Sequence, residues 1–92
     1  MKVENMTSPK GNKVPNQFII ENKNGEQWFQ SYNSMIAKLY IDPAGQKHVH
    51  LDKKYWDYSV TTGKYRNIFL GETKKETQAK IDSGEYVLTD LN

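Results

Sequence analysis

Residues 17–31 read QFIIENKNGEQWFQS, with two short runs of β-branched and aromatic side chains on either side of Asn24-Gly25. Asn-Gly between two apolar runs is the strongest local signal for a β-hairpin. A type I′ turn needs positive φ at both central residues, and Asn and Gly tolerate it best. The stretch therefore predicts two antiparallel strands, 17–22 and 27–31, joined by a type I′ turn.

Two segments that follow the hairpin alternate between faces, as half-buried strands do. In residues 34–42, Ile36 falls on the face opposite to Met35, Ala37, Leu39 and Ile41. In residues 47–52, the two faces carry Val49 with Leu51 and His48 with His50. Pro43-Ala44-Gly45 supplies turn chemistry between the two segments. Together with the hairpin they predict a four-stranded antiparallel meander.

The C-terminal half carries helix signals. Candidate N-caps at Ser59, Thr61 and Thr62 precede a short helix that ends at Gly71. A capping box, Thr73 to Glu76, opens a second helix to about Asp82, and residues 85–89 read as a last strand. The predicted fold class is α+β: a small antiparallel sheet of about four to five strands with two short helices on one side.

Residues 1–16 lack periodicity and contain two of the three prolines, which predicts a flexible lead-in before a single small α+β domain at 17–92. The chain has no cysteine, which excludes disulfides and thiolate metal sites. Its core must therefore come from apolar side chains, including eleven aromatics. Neither an export signal nor an apolar run long enough to span a bilayer is visible, so we expect a cytoplasmic protein.

The sequence shows no arrangement typical of catalysis. The only histidines, His48 and His50, have no further ligands at a recognised metal spacing, so no metal and no cofactor are expected. Thr61-Thr62-Gly63-Lys64 is only a fragment of a phosphate-binding loop, and helix capping accounts for its threonines. We predict that the protein is not an enzyme.

A binding surface is predicted at the junction that leads into the first helix. Aromatic, hydroxyl and cationic side chains of the types found at interaction hot spots cluster there. The predicted binding residues are Tyr55, Tyr58, Thr61, Thr62, Lys64, Tyr65 and Arg66. They favour a protein partner, and the chain itself is expected to be a monomer or a homodimer.

The charge distribution supports an alternative reading. Residues 43–75 carry six lysines and one arginine against three acidic residues, whereas the segment after residue 75 is acidic. Basic residues interleaved with tyrosines are typical of single-stranded nucleic-acid binding by phosphate contacts and base stacking. The stretch 53–75 therefore predicts, as the second hypothesis, a nucleic-acid binder whose affinity falls steeply with salt.

Three segments together resemble a family of small proteins of bacteriophages and mobile elements that carries only an unknown-function label. They are Trp28–Ala37 (WFQSYNSMIA), Tyr55–Arg66 (YWDYSVTTGKYR) and Phe69–Thr73 (FLGET). The resemblance supplies no catalytic residues. It implies a setting inside the host cell, where small phage proteins act as stoichiometric inhibitors or modulators of host or defence proteins, a counter-defence role.

Overall fold

The computed structural model describes all 92 residues, which form six strands and two helices. The strands are β1 (Lys2–Thr7), β2 (Lys13–Glu21), β3 (Gln27–Ser31), β4 (Ser34–Ile41), β5 (Lys47–Asp52) and β6 (Tyr86–Thr89). The helices are α1 (Val60–Leu70) and α2 (Lys74–Asp82), both between β5 and β6. Neither helix is long and apolar enough to cross a membrane.

All six strands belong to one sheet in the order β1-β2-β3-β4-β5-β6. The first five are successive antiparallel neighbours, as the predicted meander requires, but β6 runs parallel to β5. The prediction of a purely antiparallel sheet of four to five strands is therefore corrected to a mixed sheet of six. The parallel pairing follows from the connection, because two helices carry the chain back across the sheet before β6 begins.

Residues 1–16, predicted to be an irregular and flexible lead-in, contribute the edge strand β1 and the start of β2. β1 pairs with β2 from Lys2 opposite Glu21 to Thr7 opposite Lys13. The sequence does not predict this strand because Met6 is its only buried side chain, so no apolar alternation is visible. The strand is instead held by backbone hydrogen bonds, which every residue except proline can make.

Three hairpins of the sheet use the same five-residue loop. The loops are Ser8–Asn12, Asn22–Glu26 and Asp42–Gln46. In each, the backbone N–H of the first residue donates to the carbonyl of the fifth, and the side-chain oxygen of the first accepts from the amide of the fifth. The fourth residue is a glycine with φ between 81° and 86°. The predicted type I′ turn at Asn24-Gly25 is therefore wrong in type, since only Gly25 has positive φ. Instead, three residues connect Asn22 to Glu26, and the last of them, Gly25, has the left-handed conformation.

A register shift between β3 and β4 changes which side chains of β4 are buried. Ile36 and Ala37 are adjacent in sequence, yet both are fully buried. The shift lies between Phe29 and Gln30, and it pairs Met35 with Gln30 on the opposite face from Ala37. The predicted faces of Met35 and Ile36 are therefore wrong. An extra residue in one strand of a pair breaks the period of two from which those faces were read.

Both helices cover the same face of the sheet, the one that carries Phe29. Of the three candidate N-caps, Ser59 caps α1, whereas Thr61 and Thr62 lie within the helix. The reciprocal hydrogen bonds of the Thr73–Glu76 capping box open α2, as predicted. Phe69 of α1 stacks on Phe29 with ring centroids 5.8 Å apart, and Ile81 of α2 packs against the same core. The core lies between the helices and this face. It comprises Met6, Phe29, Ile36, Ala37, Val49, Leu51, Tyr65, Leu70 and Tyr86.

Gln17 of β2 is a polar residue inside this core. It is fully buried, and neither its side-chain nitrogen nor its oxygen has a hydrogen-bond partner. A buried polar group without a partner costs about 1–3 kcal/mol. We therefore expect Gln17→Met, which keeps the volume and removes the polar atoms, to raise the free energy of unfolding by about 1 kcal/mol. Urea unfolding measures the change.

The matched control for this prediction is Gln46→Met at an exposed loop position, which should change stability by less than about 0.5 kcal/mol. A Gln17→Met protein less stable than its parent would contradict the prediction, since it would show that the amide contributes favourable hydrogen bonds.

Candidate functional site

The seven residues predicted to form a binding surface divide into buried and exposed groups. Thr62, Tyr65 and Arg66 are buried, Tyr55 is half-buried, and the remainder are exposed: Tyr58, Thr61 and Lys64. The hydroxyl of Thr62 lies 2.8 Å from that of Ser31 and ties α1 to β3. The structure therefore brings the seven to one region, but three of them have almost no surface to offer a partner.

Arg66 is the centre of a network under α1. Its side chain is 1% exposed, and its guanidinium donates to the carbonyl of Trp56 at 2.6 Å and to Asp57 Oδ1 at 3.2 Å. A third bond runs to Asn67 Oδ1 at 3.0 Å, and the guanidinium carbon lies 5.1 Å from the centre of the Trp56 ring. Arg66 thus fixes the 56–57 segment to the helix.

Asp57 forms salt bridges with two cations at this point. Its second oxygen, Oδ2, lies 2.6 Å from Lys74 Nζ at the start of α2. Burial alone would raise the pKa of Asp57, but the hydrogen bonds from Lys74 and Arg66 outweigh it and hold the pKa below its usual value. Asp57 is therefore ionised at neutral pH and links α1 to α2.

A groove opens on the surface above this network, and we call it the α1 groove. Its volume is about 790 Å³. Its lining comes from the loop β1–β2, the segment before α1, α1 itself and the start of α2. The groove is lined by residues that include Asp57, Tyr58, Val60, Gly63, Lys64, Arg66, Ile68 and Lys74.

The opposite face of the sheet carries no helix, and we call it the open face. One row of directly paired residues crosses all six strands there: Val3, Ile20, Trp28, Lys38, His50 and Val87. Directly paired residues share a face of a sheet. Two further pairs lie on the same face, one on each side of this row: Phe18 with Gln30, and Tyr40 with His48. Every one of these side chains is at least partly exposed.

Lys38 and Tyr40 organise the centre of the open face. The Lys38 ammonium lies 5.2 Å from the centre of the Trp28 ring and 5.6 Å from that of Tyr40, within cation–π range. The Tyr40 and His48 rings stack with centroids 4.8 Å apart. Lys38 also forms a salt bridge of 3.0 Å with Glu26. The rings are thereby held in defined positions on a rigid sheet.

The two histidines of the open face differ in environment. His48 lies 2.8 Å from Asp42, and this hydrogen bond lowers the pKa of Asp42. Burial lowers the pKa of His50, assisted by the charges of Lys38 and His48, so His50 is neutral at pH 7. No group of three or more His, Cys, Asp or Glu side chains in the chain is arranged to hold a metal ion.

The open face has a signal in the sequence that the predicted binding residues do not include. Phe18, Ile19 and Ile20 are consecutive apolar residues, as are Trp28 and Phe29. Strands that are apolar on successive positions are typical of sheets covered on both faces. Only the Phe29 face is covered here, so the apolar side chains on the other face have no partner within the chain.

Several cations of the basic stretch 53–75 have contacts within the chain, while Lys53 and Lys75 are exposed and form no salt bridge. Arg66 is buried and Lys74 is paired with Asp57, while Lys54 and Lys64 lie over the rings of Tyr55 and Tyr65. Two tyrosines remain for stacking on bases, Tyr55 and Tyr58, and their rings contact each other edge to face at 5.4 Å.

These features define a small α+β protein with a mixed six-stranded sheet, two helices on one face and a bare aromatic face on the other. The chain belongs to a family of unknown function, DUF8033, which matches residues 1–85. The match spans the first five strands and both helices, so it includes most of the open face and the whole α1 groove. No curated protein and no solved structure matches the chain.

Proposed function

We propose that the protein is a non-enzymatic binding protein that binds a protein partner stoichiometrically through its open face. The observation that carries this proposal is the row of six side chains that crosses all six strands with no helix over it. Exposed apolar patches rimmed by polar residues mark interaction sites. Trp28 and Tyr40 at the centre are of the residue types that dominate binding energies.

The charges of the open face also favour a protein over a nucleic acid. Its one lysine, Lys38, is neutralised by Glu26, and His48 is paired with Asp42. Single-stranded nucleic acids bind by unpaired cations that replace counterions along the phosphates. An aromatic face with internally balanced charge instead suits an apolar protein surface with a polar rim. Single-stranded nucleic acid held by residues 53–75 remains the second candidate.

The proposed biological role is that of an accessory protein of a phage or mobile element, which inhibits or modulates a host or defence protein in the host cytoplasm. The resemblance of the three segments Trp28–Ala37, Tyr55–Arg66 and Phe69–Thr73 supports this setting. A rigid sheet face can inhibit a partner without catalysis, because the bound protein sterically excludes other ligands from the same surface of the partner.

The test is an affinity pulldown of the tagged protein from host lysate, with and without nuclease, using two variants of the open face. Val87→Lys adds a charge at an exposed row position without removing core packing, and Trp28→Ala removes the central ring. We expect each to weaken retention of the partner by about 2 kcal/mol or more, roughly 30-fold in affinity.

Ile41→Ser, an exposed position of β4 on the opposite side of the sheet from the open face and outside the α1 groove, is the matched control and should retain the partner. Circular dichroism establishes that each variant is folded. Retention by folded Val87→Lys and Trp28→Ala at the parent level would contradict the proposal. Retained material that disappears after nuclease treatment would favour the nucleic-acid candidate. A homodimer that Val87→Lys dissociates would show that a second copy of the chain covers the open face.

A further inference from the structure

The α1 groove has the size and the exposed apolar surface of a binding site. At about 790 Å³ it lies within the range of about 300–1,000 Å³ common for ligand sites. Tyr58, Val60 and Ile68 line it and are 45%, 91% and 46% exposed. Val60 occupies the first position of α1, where a polar residue would serve the helix equally well.

The groove also has an excess of positive charge. Its lining contains three cations, Arg66, Lys64 and Lys74, and a single carboxylate, Asp57, which Arg66 and Lys74 share. Arg66 is almost completely buried, and its Nε atom has no hydrogen-bond partner. Asp57 can balance only one of the two cations that it contacts, so together with Lys64 the lining keeps a net positive charge.

Two further features favour an anion at this position. α1 has no acidic residue in its first turn, so the neutral Ser59 hydroxyl caps the helix but no carboxylate of that turn offsets its N-terminal partial positive charge. Gly63 also lines the groove, and an added Cβ there would stand 3.6 Å from the Arg66 guanidinium and 3.8 Å from Asp57 Oδ1. The absence of a side chain at Gly63 thus keeps the helix surface thin between Arg66 and the groove.

We propose that the α1 groove binds an acidic peptide segment of a partner protein, with a carboxylate between Lys64 and Lys74 and an apolar side chain on Val60 and Ile68. The apolar lining distinguishes this ligand from a nucleic acid, whose phosphates need several accessible cations in a row. The arginine is buried, so no guanidinium fork is exposed for bidentate phosphate contacts. This site is independent of the open face and would be a second point of attachment.

The experiment is an NMR titration of the ¹⁵N-labelled protein with a short peptide of alternating glutamate and leucine, and with the matched peptide of glutamine and leucine. We expect amide shifts at Gly63, Asn67 and Lys74 with the acidic peptide only. The double variant Lys64→Gln/Lys74→Gln should weaken this binding at least 10-fold. Lys75→Gln, the neighbouring exposed lysine outside the groove, should leave it unchanged.

Equal shifts with the glutamine peptide, or no shift in the groove at millimolar acidic peptide, would overturn the proposal. Equivalent shifts with inorganic phosphate alone would overturn the peptide assignment in favour of a simple anion site. The open face reports separately through the Trp28 indole and the His50 amide. Val87→Lys should leave the groove shifts intact, so failure at one surface is distinguishable from failure at the other.

Discussion

Arg66→Met is expected to lower the free energy of unfolding by about 3 kcal/mol or more. Removal of the guanidinium leaves the carbonyl of Trp56 and the side chain of Asn67 without their donors, and Asp57 loses one of its two cations. Breaking a buried ion pair from one side costs about 3–5 kcal/mol. The loss should lie at the lower end, because Asp57 is 30% exposed and keeps Lys74.

Urea unfolding followed by tryptophan fluorescence measures this loss, and Trp56, which lies against Arg66, is a direct reporter. Lys64→Met on the same helix is the matched control, since Lys64 is exposed and should change stability by less than about 0.5 kcal/mol. An Arg66→Met midpoint equal to that of the parent would show that methionine packing compensates for the whole network.

This prediction matters for the interpretation of binding experiments. A folded domain of this kind is stable by only about 5–15 kcal/mol, so a variant at Arg66 starts from a much weaker fold. Loss of partner binding on Arg66→Ala would then report instability and not a lost contact. Lys64 and Val60, which are exposed and form no bond with Asp57, are the positions at which the α1 groove can be tested without disturbing the Arg66 network.

Glu72→Gln is expected to lower the free energy of unfolding by about 2 kcal/mol at pH 7. The Glu72 carboxylate is 4% exposed and accepts hydrogen bonds from Lys80 and Thr77 of α2 and from the Tyr86 hydroxyl of β6. It therefore ties the end of α1 to the next helix and to the last strand. Hydrogen bonds to a charged group are worth about 1.5–3 kcal/mol, and a neutral amide accepts more weakly.

The effect of Glu72→Gln should depend on pH with a defined sign. Burial would raise the pKa of Glu72, but hydrogen bonds from Lys80, Thr77 and Tyr86 lower it below 4.5 overall. A carboxyl with a depressed native pKa contributes stability that is present above its unfolded pKa and lost as pH falls through its folded pKa. The difference between parent and variant should therefore be full above about pH 4.5 and shrink below it.

Glu85→Gln, an exposed acidic residue before β6, is the control and should leave both the stability at pH 7 and its acid dependence close to those of the parent. On the alkaline side, burial and Glu72 raise the pKa of Tyr86 to about 12. The stability that the Tyr86–Glu72 hydrogen bond contributes is thus present below pH 10 and lost as the pH rises towards 12. A Glu72→Gln protein with the same acid transition as its parent would contradict the assignment.

The strands and helices with strong local signals agree with the sequence prediction. β2 to β5, the Ser59 cap, the Thr73–Glu76 capping box and the glycine that ends α1 all depend on residues within five positions of each other. The edge strand β1 could not be predicted this way, because it has one buried side chain and is held by its neighbour. The direction of β6 likewise depends on where the two helices pack.

The seven predicted binding residues lie in one region of the structure, but they are not all exposed. Tyr58, Thr61 and Lys64 are exposed at the loop–helix junction, whereas Tyr65 and Arg66 alternate with them into the core along α1. Residue type alone does not distinguish a tyrosine or arginine that packs from one that contacts a partner. Whether this region binds a partner stays a prediction, which the groove titration addresses.

The amino-acid sequence alone specified the α+β class, the antiparallel meander and the helix caps, because each depends on residues close together in the chain. Tertiary structure alone decided that Arg66 is a buried structural cation. It also decided that the bulge at Ile36 turns Met35 to the face opposite from Ala37. It also brought Val3, Ile20, Trp28, Lys38, His50 and Val87 into one row. These residues lie far apart in sequence, and only strand register places them side by side on a face that the two helices leave bare.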